Sequence, residues 1–146
     1  MAVWGIGAYF LGEGGGDQSD EFIKNGIAVI GYSREEHPDY YELMENIREG
    51  DLIYIKSRQM NKYDAPIKLK AIGIVVNAEI KPKNLSVGTA QGIDVYWVNS
   101  FNDSGREPIK IQVPPSPLYN NTLFEEKDKI VIKEIVSYLN NKDALK

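Results

Sequence analysis

The segment GIAVIGYS, residues 26–33, ends an apolar run with a glycine, a tyrosine and a serine. A glycine at Gly31 lets a ligand or a neighbouring strand approach the backbone closely. Tyr32 would then face a cavity as one wall for stacking a flat ring. The chemistry that these residue types suggest is non-covalent recognition. The alternative is that Gly31 marks a bulge and that Tyr32 packs in the core.

Other aromatic side chains lie within or at the ends of β-prone runs. They are Trp4, Tyr9, Phe10, Tyr54, Tyr96 and Trp97. If several of them converge, they form an aromatic cage for a planar ligand. Core packing is the competing interpretation, in which each buried Tyr or Trp must find a polar partner.

Charge is unevenly distributed along the chain, whose formal net charge is -4. Residues 1–51 carry 11 acidic and 3 basic side chains, whereas residues 52–83 carry 2 acidic and 7 basic ones. The acidic total argues against a protein that coats nucleic acid through its overall charge. The basic segment indicates a localised surface for anions, and an ordinary solvated face would produce the same pattern.

Residues suited to catalysis are scarce. His37 is the only histidine and stands directly before Pro38, where we expect a solvent-exposed helix start rather than a general base. The chain has no cysteine, so it offers no thiolate nucleophile and no disulfide. The loop GEGGGDQSD is acidic and lacks the lysine of a phosphate-binding loop. We therefore predict no catalytic residue, no metal site and no cofactor, and we do not expect an enzyme.

The hydrophobic pattern predicts an α+β fold in a single domain, residues 1–146. The predicted strands cover residues 3–9, 27–32, 52–56, 69–76, 93–99 and 109–113. The predicted helices cover residues 39–50, residues 122–143 and, on weaker grounds, residues 19–24. Asp39 with Glu42, and Thr122 with Glu125, fit capping boxes at the starts of the two longer helices. The strand spacing favours a mixed, bent sheet or a small barrel.

Four motifs in order, WGIGAYF, FIKNGIAVIGYS, IREGDLIYIKS and LKAIGIVV, resemble the PUA-like superfamily. The likeness is to its EVE-like and YTH-like branch and to the related N-terminal base-reading domains of modification-dependent restriction systems. The shared features are an early tryptophan, an I-x-I-G-aromatic strand, a G-D turn entering a strand, and an I-G-I-V strand. The resemblance covers residues 3–76, about half of the chain.

This resemblance implies a bent β-barrel flanked by helices, including one at the C-terminus, that binds nucleic acid with a modified base turned out into an aromatic cage. The implied ligand-binding residues are Trp4, Ile6, Gly7, Gly31, Tyr32, Ser33, Tyr54 and Trp97. Among them Trp4, Tyr32 and Trp97 form the cage. Many relatives carry tryptophan where this chain has Tyr32. The implied contacts to the nucleic-acid backbone are Lys56, Ser57, Arg58 and Lys62.

We therefore expect a non-catalytic reader of a modified base in DNA or RNA, acting with a separate effector protein. A sensor that holds a free nucleotide or other small planar ligand in the same pocket is the alternative, and a protein-interaction module is a further one. The start MAVWGIGAYF has no basic n-region and no long apolar run. We accordingly expect a cytoplasmic protein that does not contact membranes.

Overall fold

The computed structural model describes residues 1–12, 14–59, 62–102 and 107–140. The strands are β1 (Val3–Gly7), β2 (Tyr9–Phe10), β3 (Gly16–Asp17), β4 (Ile27–Ile30), β5 (Leu52–Ser57), β6 (Ile67–Leu85), β7 (Gly88–Ser100), β8 (Ile109–Ile111) and β9 (Leu123–Glu126). The α-helices are α1 (Ser19–Asn25), α2 (Pro38–Glu45) and α3 (Lys129–Asn140), and a 3₁₀ turn covers Pro117–Asn120. Within these ranges, no helix combines the length and the apolar character that a membrane span requires.

Seven of the strands form one mixed sheet. Its hydrogen-bonded order is β4-β7-β6-β5-β1-β9, and β8 pairs with the start of β6. β1 and β5 run parallel, whereas the other neighbours in this sheet are antiparallel. β2 and β3 form a separate short hairpin. The predicted α+β class, with a mixed sheet and a C-terminal helix, is confirmed.

Both faces of the sheet are covered, and side chains alternate between two cores. On β1 and β5, Trp4 and Ile53 belong to the core that also contains α1 and α2 side chains. Their neighbours Val3 and Tyr54 belong to the second core, which is covered by α3. This alternation follows from the two-residue period of a strand. An aromatic side chain on either face of these two strands therefore packs in one of the cores.

The predicted strands 69–76 and 93–99 are parts of a much longer hairpin. β6 and β7 pair from Ala71 with Ser100 as far as Leu85 with Gly88. Residues 77–85 and 88–92 are mostly polar and include Pro82, so they lack the apolar alternation on which strand prediction depends. Three register shifts interrupt the pairing, and bulges of this kind bend a strand.

The prediction of a helix from residue 122 is wrong in its first part. Residues Leu123–Glu126 form β9 and pair with β1, because Leu123 and Phe124 point into opposite cores. The Thr122–Glu125 capping box does not form. The helix begins at Lys129, and the Asp128 carboxylate accepts hydrogen bonds from the first backbone N–H groups. Residues 141–143 of the predicted helix lie outside the described residues.

The helix predicted over residues 39–50 is shorter, and its cap differs. α2 begins at Pro38 after His37, which makes no side-chain capping bond, so the Asp39–Glu42 capping box is not present. Two reciprocal hydrogen bonds form before the helix instead. The Glu36 carboxylate accepts from the Ser33 amide, and the Ser33 hydroxyl accepts from the Glu36 amide. The weaker prediction of a helix at residues 19–24 is confirmed by α1, which ends at Gly26 in the left-handed conformation (φ 65°).

Asp51 joins the start of β1 to the start of β5. Its carboxylate accepts hydrogen bonds from Trp4 Nε1 at 3.0 Å, from the Ala2 amide at 3.1 Å and from the Arg48 amide at 2.9 Å. Burial acts to raise the pKa of Asp51, but the three hydrogen bonds and the nearby amino terminus lower it below its ordinary value. The ionised carboxylate therefore stabilises the parallel pair.

We expect Asp51→Asn to lower the free energy of unfolding by about 1–3 kcal/mol, because the neutral amide is a weaker acceptor and turns its NH₂ group toward one of the three donors. Urea denaturation at neutral pH measures this loss. Asp64→Asn, at an exposed aspartate, is the control and should change stability by about 0.5 kcal/mol or less. Equal losses in the two variants would contradict the role given to Asp51.

Candidate functional site

The parallel pairing of β1 with β5 brings the ends of both strands to one edge of the sheet, where Gly7 is the register partner of Lys56. Two glycines on β1 make space there. A Cβ added to Gly5 would lie 2.4 Å from the Phe124 ring, and one added to Gly7 would lie 3.5 Å from Lys56 Nζ. The Phe124 ring and the Lys56 side chain therefore occupy the space that larger β1 residues would fill.

A pocket of about 620 Å³ opens at this edge, and we call it the Lys56 pocket. Five of the predicted site residues line it, namely Gly7, Tyr32, Lys56, Ser57 and Arg58. The β2–β3 hairpin forms another side of the pocket, and the segment that leads into β9 completes it. The pocket therefore joins groups from strands that are far apart in the sequence.

Lys56 is buried in this pocket without a counter-ion. Only 6% of its surface is exposed, and its Nζ lies 5.6 Å from the centre of the Phe124 ring, within cation–π range. The ion pairs of the described residues do not include Lys56. Burial, with the charge of Arg58 second, lowers the pKa of Lys56 to about 8. Most of the ammonium is therefore still charged at neutral pH and faces the pocket.

Arg58 adds a second positive charge, but its hydrogen-bond donors are already used. Its Nε donates to Asn120 Oδ1 at 2.7 Å, and its Nη2 donates to the Ser116 carbonyl oxygen at 2.5 Å. Its Nη1 donates to the Tyr63 carbonyl oxygen at 3.1 Å. These acceptors are neutral, so the guanidinium fixes the surrounding loops without losing its charge. It acts on a ligand mainly through its electrostatic field.

The other two charged side chains that line the pocket, Lys70 and Asp17, neutralise each other. Lys70 forms an ion pair with Asp17, which also accepts hydrogen bonds from the Ser19 amide at 2.9 Å and from the Ser19 hydroxyl at 2.5 Å. Although burial acts to raise the pKa of Asp17, the hydrogen bonds from Lys70 and Ser19 lower it. The pocket-lining charges outside an ion pair are thus those of Lys56 and Arg58, and Asp64 acts on Arg58 through its opposite charge.

Tyr32 lies against an aromatic cluster that the sequence analysis did not foresee. Its ring centre is 4.4 Å from that of His37, which in turn stacks on Tyr40 at 4.6 Å with an interplanar angle of 22°. The Tyr40 hydroxyl accepts a hydrogen bond from the Thr122 amide at 3.2 Å. In the sequence, the short spacing of His37, Tyr40 and Tyr41 around the start of α2 is the feature that could have indicated this cluster. The cluster holds Tyr32 as one wall of the Lys56 pocket.

The mouth of the pocket carries exposed apolar side chains from the β2–β3 hairpin region. Tyr9 and Leu11 both line the pocket, and each is 67% exposed. Large apolar groups that remain exposed beside a cavity are suited to contact a ligand. Tyr9 was noted in the sequence as a strand-end aromatic residue but was not predicted to bind.

Four of the predicted ligand-binding residues are packing residues outside the Lys56 pocket. Trp4, Ile6 and Tyr54 are 2%, 2% and 0% exposed. Tyr54 donates a hydrogen bond to the buried Glu126 carboxylate at 2.8 Å. Trp97 is half-buried and donates from Nε1 to the Ile27 carbonyl oxygen at 3.1 Å. Trp4, Tyr32 and Trp97 all pack in or against the first core, and of the three only Tyr32 lines the Lys56 pocket.

Three further predicted residues lie beside or away from the Lys56 pocket. A Cβ on Gly31 would meet the Phe10 ring at 2.7 Å, so this glycine makes room for a neighbouring side chain. Gly31 and Ser33 line a smaller pocket of about 380 Å³, to which Tyr32 also contributes. Lys62 is exposed and does not line the Lys56 pocket.

No protein-family model matches the chain, and no curated protein matches it. The chemistry of the site is therefore inferred from its own geometry. An aromatic wall and two positive charges outside an ion pair, those of Lys56 and Arg58, surround one cavity. Such a cavity can hold a flat ring that carries a negatively charged group.

We expect Lys56→Met to raise the free energy of unfolding at pH 7, because it replaces a buried charge without a counter-ion by an apolar chain of similar length. The pKa of about 8 in the folded state lies below that of an unfolded lysine, so the unfolded state binds more protons between the two values. Stability of the natural protein should therefore rise with pH in that interval. The difference in free energy of unfolding between Lys56→Met and the natural protein should therefore fall by about 2 kcal/mol between pH 7 and pH 9.5.

Urea denaturation of both proteins over this pH range measures the difference. Lys110→Met, at an exposed lysine on β8, is the control and should show no such pH dependence. A Lys56→Met protein that is clearly less stable than the natural one at pH 7 would mean that Lys56 is a structural residue.

Proposed function

We propose that the domain is a non-catalytic reader that binds a modified nucleobase of DNA or RNA in the Lys56 pocket. The observation that carries this proposal is the combination of the Tyr32 wall with the charges of Lys56 and Arg58 around one cavity. The proposal includes the PUA-like architecture of the EVE-like and YTH-like branch, with its barrel-like closure of the sheet. It also includes a cytoplasmic location and a separate effector protein.

The size of the pocket supports a ligand of nucleotide dimensions. Pockets for small molecules commonly enclose 300–1,000 Å³, and the Lys56 pocket has about 620 Å³. Tyr32 is supported by His37 and Tyr40, so its ring is held in place before the ligand arrives. A fixed ring loses little conformational freedom on binding, which favours stacking.

The charges of the pocket support a ligand embedded in nucleic acid. Turning a base out of a duplex costs a few kcal/mol, whereas stacking on an aromatic side chain returns about 1–3 kcal/mol per base. Phosphate attraction must supply the difference, and Lys56 and Arg58 are placed to provide it. The acidic remainder of the chain, with a net charge of -4, limits binding to nucleic acid that lacks the recognised base.

A free nucleotide in the same pocket is the second candidate. The burial of Lys56 favours it, because a cation that is 6% exposed is reached more easily by a small ligand than by a continuous strand. Salt separates the two candidates. Affinity for nucleic acid that contacts several phosphates falls steeply with added salt, whereas affinity for a small caged ligand changes much less.

Tyr32→Leu should weaken binding of an oligonucleotide with a recognised modified base by roughly 5- to 150-fold, the equivalent of about 1–3 kcal/mol of stacking. Fluorescence anisotropy with labelled oligonucleotides measures this loss; the panel contains methylated, hydroxymethylated and unmodified bases. The matched control is Tyr96→Leu, because Tyr96 is 63% exposed and does not line the pocket.

Binding that is equal for modified and unmodified oligonucleotides would contradict the reader proposal, and so would full retention of affinity in Tyr32→Leu. Binding of free nucleotides without binding of any oligonucleotide would replace it by the second candidate. The thermal stability of each variant is compared first, so that a loss of binding is not confused with a loss of fold.

A further inference from the structure

Lys56 is the buried cation in the pocket for which the described residues provide no anion. An ammonium that is removed from water and left without a carboxylate lowers the stability of the fold. The Phe124 ring, 5.6 Å from Nζ, offers only a weak cation–π contact. Its Nζ lies beside Gly7 on β1, 3.5 Å from where a Cβ on that glycine would be, and both residues line the cavity.

The other groups around Lys56 leave the cavity positive. Arg58 contributes a charge that its carbonyl and amide partners do not cancel. Asp17 and Lys70 cancel each other across the pocket. Gly7 and the Phe124 ring lie beside Lys56 Nζ, and the phenols of Tyr9 and Tyr32 also line the pocket. Of the described carboxylates, Asp64 acts on Arg58 through its charge, and none forms an ion pair with Lys56. The anion that would balance Lys56 is therefore absent from the described part of the chain.

We infer that the Lys56 pocket contains an oxyanion subsite, in which the Lys56 ammonium binds a phosphate oxygen of the nucleotide whose base the pocket holds. Arg58 strengthens this subsite through its field. The hydroxyl of Ser57, which also lines the pocket, is placed to add a neutral hydrogen bond. Lys56 and Arg58 both attract a phosphate monoester, which carries ≈ -1.5 to -2 at pH 7.

This inference rests on the proposed function for the location of the ligand, but it is tested separately from it. The probes are inorganic phosphate, a nucleoside, the corresponding nucleoside 5′-monophosphate, and an oligonucleotide with or without a 5′-phosphate. Inorganic phosphate tests the subsite without a base, and the nucleoside tests the aromatic wall without an anion. The monophosphate and the two oligonucleotides separate a free nucleotide from a strand end and from an internal phosphodiester.

Isothermal titration calorimetry should show the nucleoside monophosphate binding about 10- to 100-fold more tightly than the nucleoside, since hydrogen bonds to a charged group are worth this much. Lys56→Met should remove most of the difference between the two affinities. Lys110→Met should retain it. An anion favours the charged form of Lys56, so binding at pH 8 should take up a fraction of a proton per site. The measured binding enthalpy should therefore differ between buffers of different ionisation enthalpy. Affinity for the monophosphate should fall as pH rises above 8.

NMR of the lysine side chains gives a direct readout. The Lys56 13Cε signal, assigned by its loss in Lys56→Met, should titrate near pH 8 in the free protein and at higher pH in saturating inorganic phosphate. A monophosphate that binds no better than its nucleoside, or an unchanged Lys56 titration with phosphate, would overturn the inference. Phosphate binding without any nucleoside binding would leave the subsite in place and contradict the proposed function instead.

Discussion

The parallel pairing of β1 with β5 is the constraint on which the rest of the structure depends. Both strands lie inside the sheet, β1 between β5 and β9 and β5 between β1 and β6. Asp51 fixes their register by binding the indole of Trp4 and the amide of Ala2 at the start of the pair. Once Val3 is opposite Leu52, Gly7 must be opposite Lys56 at the other end. The position of the pocket thus follows from the hydrogen bonds that Asp51 accepts at the opposite end of the same two strands.

The same pairing explains how a lysine can be buried at the sheet edge. The glycines of β1 leave no side chain to cover β5 from that side, so Phe124 and Lys56 take the space. The sheet and the loops tied together by Arg58 then exclude water from the ammonium. This arrangement lowers the stability of the unliganded fold, and a bound anion would restore what burial costs. A ligand site of this kind therefore lowers the free energy of unfolding of the unliganded protein.

The local patterns were sufficient to predict β4 and β5, because IAVI and LIYI are continuous apolar runs of strand length. The second half of the hairpin and β9 were missed for two different reasons. The few apolar residues of 77–92 that pack on the first core lie among polar ones without the alternation of a strand, and Leu123 and Phe124 face opposite cores. Of the basic residues predicted to contact the nucleic-acid backbone, Lys56 and Arg58 line the Lys56 pocket, whereas Lys62 does not. The predicted cage residues Trp4 and Trp97 do not line it either, because both pack in or against the first core, and a single sequence does not show which faces are covered.

Amide chemical-shift mapping tests the central claim most directly. The 15N-labelled protein is titrated with a modified nucleoside 5′-monophosphate, and shift changes are assigned along the backbone. If the Lys56 pocket binds the nucleotide, the largest changes lie at Gly7, Tyr32, Ser57 and Thr122, while the exposed surface around Tyr96 is unaffected. Changes that cluster elsewhere, or no change at millimolar nucleotide, would contradict the account.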